Sequence, residues 1–271
     1  MTTKRLLAAI GVFVLGAFVG GMAVFLCNGK ASSSTNDVPD AVAAAVEPDS
    51  FPQVYGVDVS HYQGNIFWDK LSLPCDKSGA VSGRVPVPEN LRAVRFAFIR
   101  ATMGDTLADS FYDKNYQEAK RAGIPCGSYH FLTDGVSGKT QAEWFLANAR
   151  LEPGDLPPVL DVEMKSPAMV QRAKEWLTVV EKECGTQAII YTNMNLLNQF
   201  VKPDTVLSNR PLWLAKIIGD MPDEPNCLFW QFTHQGHVCG IVDNVVDINM
   251  FNGTPDDLRQ FILTKGIAHK Q

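Results

Sequence analysis

The sequence predicts an α/β fold in which eight short strands close into an irregular barrel, and three observations predict it. Eight β-rich apolar runs alternate with helix-period segments: 54–60, 94–101, 125–131, 158–163, 187–192, 212–217, 228–233 and 242–249. The runs are apolar on both faces, as in Phe96-Ala97-Phe98-Ile99, which is the pattern of parallel strands covered by helices. The gaps after Ile217 and after Thr233 are too short for a loop, a covering helix and a second loop. The first five strands are therefore expected to carry crossover helices, and the last three to be joined more directly, with antiparallel pairing allowed.

The helices announce themselves by their caps. Asp113 opens one that Gly123 closes, Ser166-Pro167 begins another that ends at Cys184-Gly185, and Thr254-Pro255 starts a last one stopped at Gly266. The stretch Ser72 to Arg92, rich in Pro and Gly, reads as a long surface loop after the first strand, able to line a cleft.

An appendage precedes the barrel. Lys4-Arg5 lead into an unbroken apolar run from Leu6 to Leu26, long enough to cross a bilayer, and the flank after it is acidic. Residues 1–27 are therefore expected to form a signal-anchor helix, or a long signal if cleaved near Gly29-Lys30-Ala31, with the N-terminus cytoplasmic and the rest exported. Residues 28–53 have the Ser-, Ala-, Asp- and Pro-rich composition of a flexible linker, and the catalytic barrel is assigned to 54–271. Exported cysteines 75, 126, 184, 227 and 239 are odd in number, and a Cys227–Cys239 bridge across a hairpin-like segment is the expected pairing.

At 271 residues, 46% apolar and 20% charged, the chain suits one barrel domain plus this appendage, and a monomer is expected. A formal net charge of -5 with no Lys/Arg stripe argues against a nucleic-acid partner. No C-x-x-C pair exists, and His234 and His237 lack a third nearby ligand, so neither a metal nor another cofactor is expected.

The chemistry lies where carboxylates interrupt buried strands. In Val159-Leu160-Asp161-Val162-Glu163, the period of a strand sends both acids to one face. Burying carboxylates costs several kcal/mol each (~3–5 when unpaired), so such a pair is either catalytic or an ion-pair node. Asp58 ends the first strand and Asp247 the last, and these strands are neighbours when a barrel closes. All four acids then converge at the C-terminal mouth, where barrel enzymes hold their sites. Arg100 on the second strand is the structural alternative, a cation able to neutralise some of them. Clustered acids without metal ligands or an activated Ser or Cys point to glycosidic bond hydrolysis, since crowding keeps one carboxyl protonated as a general acid. Tyr62, Tyr129, Tyr191, Trp213 and Trp230, at other strand ends, are candidate platforms for sugar faces.

The motifs Asp58-Val59-Ser60-His61-Tyr62-Gln63-Gly64, Phe98-Ile99-Arg100-Ala101-Thr102, Gly127-Ser128-Tyr129-His130-Phe131, Asp161-Val162-Glu163, Trp230-Gln231-Phe232-Thr233 and Val246-Asp247-Ile248-Asn249-Met250-Phe251 occur in order from Val54 to Ile262. As a set they resemble the glycoside hydrolase family 25 lysozymes. The resemblance implies an irregular (β/α)5(β)3 TIM-like barrel and hydrolysis of the β-1,4 bond between N-acetylmuramic acid and N-acetylglucosamine in peptidoglycan glycan strands. It also implies Glu163 as general acid, with Asp161, Asp58 and Asp247 in support. Gln231 and Arg100, from the same motifs, join the aromatics as candidate substrate contacts.

Asp161 stands close to Glu163 on the same strand face, so it is read as orienting the substrate's N-acetyl group in a substrate-assisted route; direct attack by Asp161 and water activation are the alternatives. Met103 departs from the family pattern, which often has Glu there. A chitinase-like reading is disfavoured by Val159, where that signature wants an Asp. The rival from another class is a membrane-tethered module that binds peptidoglycan without cleaving it.

Overall fold

A computed structural model describes residues 52–81, 90–242 and 244–268. The expected anchor at 1–27 and nearly all of the linker at 28–53 lie outside the described residues. No helix among the described residues is long and apolar enough to cross a membrane.

The strands are β1 (Val54–Val59), β2 (Ser72–Cys75), β3 (Asn90–Ala93), β4 (Phe96–Met103), β5 (Leu107–Ala108), β6 (Cys126–Phe131), β7 (Val159–Asp161), β8 (Ile189–Asn193), β9 (Leu212–Ala215), β10 (Cys227–Gly236) and β11 (Val246–Phe251). The helices are α1 (Tyr112–Arg121), α2 (Gly138–Asn148), α3 (Met169–Cys184), the single turn α4 (Met194–Leu196) and α5 (Pro255–Lys265). The large sheet runs β1-β11-β10-β9-β8-β7-β6-β4, and a β1–β4 pairing closes it into the eight-stranded barrel. Seven strands are parallel. Only β11 is antiparallel, to both β10 and β1, so the last strand begins at the mouth and ends at the base. Asp247 thus reaches the mouth from the start of its strand, not from the end, as the sequence reading had it.

Alternation divides the strands cleanly. Phe96 and Phe98 of β4, Tyr191 of β8, Trp213 of β9 and Phe229 of β10 fill the barrel, while Ala97, Ile99, Ile190 and Leu214 face the helices. Phe98 stacks on Trp213 at 4.4 Å and meets Phe229 edge-on at 5.0 Å. Rings this large leave no room for side chains opposite them. A Cβ on Gly56 would stand 2.5 Å from Phe96, and one on Gly127 2.6 Å from Phe98, which is why both strands carry glycine there. In β4 the register slips between Arg100 and Thr102, so Arg100 points inward while Thr102 turns outward to bond His130 Nδ1 at 2.7 Å.

Three helix ends follow their caps. Thr254 and Asp257 form a capping box ahead of α5, with Pro255 in the first turn. Gly185 ends α3 in the left-handed region, and Gly123 does so after α1. The helix α2, capped by Ser137 through the Thr140 N–H, is the crossover expected after the third barrel strand, although its bounds went unmarked because the consecutive Trp144, Phe145 and Leu146 blur its period.

Three expectations are corrected. The excursion after β1 is not a free surface loop. Ser72–Cys75 and Asn90–Ala93 pair as a hairpin, Leu73 and Cys75 are fully buried, and Ser72 exchanges backbone hydrogen bonds with Cys239. No α-helix lies between β1 and the next barrel strand, β4, among the described residues, so the crossover helix expected after the first strand is not found there. The expected Cys227–Cys239 bridge is also absent. Cys227 is a free, buried thiol, whereas Cys239 is disulfide-bonded. The segment between them is a single extended strand, β10, rather than a hairpin. At ~3.3 Å per residue, its ten residues hold the two ends roughly 30 Å apart, far beyond disulfide reach.

Candidate active site

The mouth assembles two pairs of acids. Asp58 and Asp247 are register partners on β1 and β11. Asp161 is the last residue of β7, held beside Tyr191 of β8, and Glu163 lies two residues further on, past a Val162 N–H to Tyr191 carbonyl bond. Asp58 and Asp161 are buried, whereas Glu163 opens to solvent.

One amide ties the pairs together. Gln231 Nε2 donates to Asp58 Oδ2 at 3.0 Å and to Asp247 Oδ2 at 3.2 Å, while its Oε1 accepts from the Tyr191 hydroxyl at 2.9 Å. Tyr191, whose hydroxyl is committed to Gln231, also lies near enough to Glu163 to favour its carboxylate form. Asn249 Nδ2 adds a second donor to Asp58 at 2.8 Å, and its own carbonyl is oriented by Trp213 Nε1 at 2.7 Å. Asp161 differs. Its Oδ1 is buried and accepts no hydrogen bond from the described residues.

These surroundings push every carboxyl toward its protonated form. Burial raises Asp58 to about 6, against the pull of its Asn249 and Gln231 donors. Asp247 rises further, to about 9, through burial and then the neighbouring Asp58 charge. Asp161 is raised well above the usual range by burial, then by Glu163 and Asp58, with Arg100 opposing. Glu163 is raised by burial, because its carboxyl sits in a concave mouth although it is accessible, and next by Asp58. The protons belong to the cluster as a whole. Such a cluster can keep a carboxylic acid protonated near neutral pH beside a carboxylate, which is the requirement for glycosidic bond cleavage.

The glycosyl hydrolases family 25 model matches residues 57–241, more than two thirds of the chain and containing Asp58, Asp161 and Glu163. The chain belongs to glycosyl hydrolase family 25. Among its relatives, the uncharacterized protein YegX of Escherichia coli K12 is 33% identical over 77% of this chain and 73% of its own length. Lysozyme M1 of Streptomyces globisporus is 31% identical over 74% of this chain and 68% of that protein. The crystal structure of a Streptomyces coelicolor lysozyme superposes with a TM-score of 0.63 and 29% identity, covering 79% of this chain and 98% of that one.

The family 25 barrel does not bring every candidate residue to the mouth. Tyr62, 67% exposed, stands on the lip. Tyr129 and Tyr191 line the floor, and Trp213 lies beneath it as the orienter of Asn249. Trp230 faces the opposite side of β10 from Gln231, packs on Phe232 at 5.4 Å and donates to the Lys216 carbonyl, so it does not join the site. Arg100 does not ion-pair with the four acids. Its guanidinium is held by Asp109, with Nε and Nη2 both 2.9 Å from Oδ2, and it touches His61 Nδ1. Asn249 and Asp109 were missed as site residues. The alternation Asp247-Ile248-Asn249 carries the signal for the first, since it repeats Asp161-Val162-Glu163, but nothing in the sequence around Asp109 carries one.

Proposed function

We propose that this chain is a lysozyme of the N-acetylmuramidase type, which hydrolyses the β-1,4 bond between N-acetylmuramic acid and N-acetylglucosamine in peptidoglycan. The observation that carries the reading is the four-carboxyl cluster at the mouth of a family 25 barrel, with an accessible Glu163 at its opening whose carboxyl is raised by burial and by Asp58. A module that only bound glycan would need the lip aromatic, not four crowded acids.

In the reading we favour, Glu163 gives its proton to the glycosidic oxygen as the bond from that oxygen to the anomeric carbon breaks. The acetamide oxygen of the same sugar attacks the anomeric carbon and closes an oxazolinium ring. The partnerless Oδ1 of Asp161 accepts the acetamide N–H and steadies the charge that forms on the ring. Water then attacks the anomeric carbon, giving its proton to the Glu163 carboxylate, and the acetamide is restored. Asp58 and Asp247 hold sugar hydroxyls and set the charge around Glu163.

The chain is proposed to work outside the cytoplasm as a monomer, tethered by residues 1–27, a reading supported by the apolar run from Leu6 to Leu26. Peptidoglycan turbidity loss with wild type and its absence with Glu163→Gln test the catalytic assignment. Product anomers read by NMR test the route, which requires net retention. Membrane fractionation and sequencing of the mature N-terminus test the tether.

A further inference from the structure

Asp109 is buried without a role in the four-acid cluster, and it is the hub of a separate network beside it. Its Oδ2 accepts from Arg100 Nε and from the His61 backbone N–H, both at 2.9 Å, and Arg100 Nη2 stands 2.9 Å away as an ion-pair contact. Two hydrogen bonds and the guanidinium charge already occupy that oxygen. His61 Nδ1 lies 3.3 Å away from the same oxygen, but it lies closer to Arg100 Nη2.

A guanidinium can only donate, so the ring nitrogen facing it must offer a lone pair. An imidazole proton on Nε2 leaves Nδ1 free to accept from the guanidinium. The ring orientation is held as well: His61 opens the turn 61–63, Ser60 and Gln63 close that turn with a capping box, and the ring lies on Tyr62 at 4.1 Å. Arg100 stands 5.6 Å from the Tyr62 ring. About 40% of the His61 side chain stays accessible, three residues beyond Asp58 on the chain that leaves β1 at the mouth.

We propose that His61 is a substrate-contacting residue, with Arg100 and Asp109 as positioning residues that fix its tautomer so that Nε2–H is offered to an acceptor oxygen of the bound glycan strand. The proposal rests on the peptidoglycan reading above. In this arrangement the Tyr62 ring covers an apolar sugar face while His61 supplies a directional hydrogen bond next to it. Arg100, expected from the sequence to touch substrate or neutralise the acids, acts one step removed.

The test uses the full chain. Nitrogen-15 NMR of histidine-labelled protein reads the tautomer, and with five histidines the His61 signals are assigned by their loss in His61→Gln. The expected pattern is a protonated Nε2 and a bare Nδ1; a protonated Nδ1 overturns the proposal. His61→Phe keeps a ring on Tyr62 but removes the donor, so KM should rise about 3–10-fold with kcat nearly unchanged, the worth of one ordinary hydrogen bond. His61→Gln, which keeps a donor, should recover part of that. Asp109→Asn should mix the tautomers and raise KM, with no further rise when combined with His61→Phe. An unchanged KM in His61→Phe also overturns the proposal. Should wild type fail to cleave peptidoglycan, the peptidoglycan reading falls on its own. The His61 contact is then decided by calorimetric binding of a purified peptidoglycan glycan oligomer to wild type and His61→Phe, with equal affinities counting against it.

Discussion

Replacing Asp58 with Asn should make the protein more stable and less active, with a pH signature that assigns the cause. Asp58 is buried and its carboxyl is raised from 3.8 to about 6 by that burial. Below the unfolded value the group is protonated in both states and contributes nothing. Between about pH 4 and 6 the unfolded chain releases the proton first, so the folded state loses stability as pH rises, and above 6 the loss is constant. The shift of roughly two units corresponds to about 3 kcal/mol at neutral pH. An Asn would present Oδ1 to the Gln231 and Asn249 donors and its amide to Asp247, while forfeiting the charge-assisted part of two bonds, about 1 kcal/mol. The net expectation is a gain of about 1–3 kcal/mol at pH 7.5, or several degrees in Tm at about 2–4 °C per kcal/mol, shrinking nearly to zero at pH 3.5. Urea melts of both proteins across that range measure it. Parallel stability curves, or a variant less stable at pH 7.5, would refute the reasoning. Because the Asp58 charge also helps Glu163 keep its proton, the alkaline limb of kcat/KM should move to lower pH in the variant.

Other perturbations have equally definite outcomes. Glu163→Gln should lower kcat by about 10²–10⁴-fold in a peptidoglycan turbidity assay while leaving the circular dichroism spectrum and Tm little changed, since Glu163 is accessible. His130 is held neutral by burial against Phe145 and Trp176, which pushes it down to about 4. Its contribution is fully present above the unfolded value near 6.5 and is lost as pH falls toward 4, up to about 3 kcal/mol, and denaturant titrations at pH 7 and 4.5 together with the His130 NMR titration check this. Gly127→Ala should cost about 1–3 kcal/mol in chemical denaturation, because its methyl would enter the Phe98 ring.

All eight barrel strands were legible because each is a short apolar run bounded by Gly, Pro or polar residues, and the short gaps before the last two strands predicted direct connections. What the sequence hid was direction. Apolar runs look alike whichever way they run, so antiparallel pairing was allowed among the last three strands without being assigned to β11, and Asp247 came to the right place by a different route. Site acids were visible because a carboxylate in a buried strand is conspicuous. The partners that tune them were not: Gln231 and Asn249 are ordinary amides until the register brings them onto Asp58. Trp230 and Gln231 are consecutive on β10, so one faces outward and the other inward, and composition alone does not say which.

The sense of β11 also decides how the molecule is held. Its chain runs from mouth to base, where Phe251 pairs with Val54 and α5 follows, with Leu258 packed under the interior rings. Entry to β1 and exit to α5 therefore share the closed floor of the barrel. Within the barrel, both Val54 and Phe251 therefore stand at the end opposite the acids, and neither of these strand ends crowds the mouth.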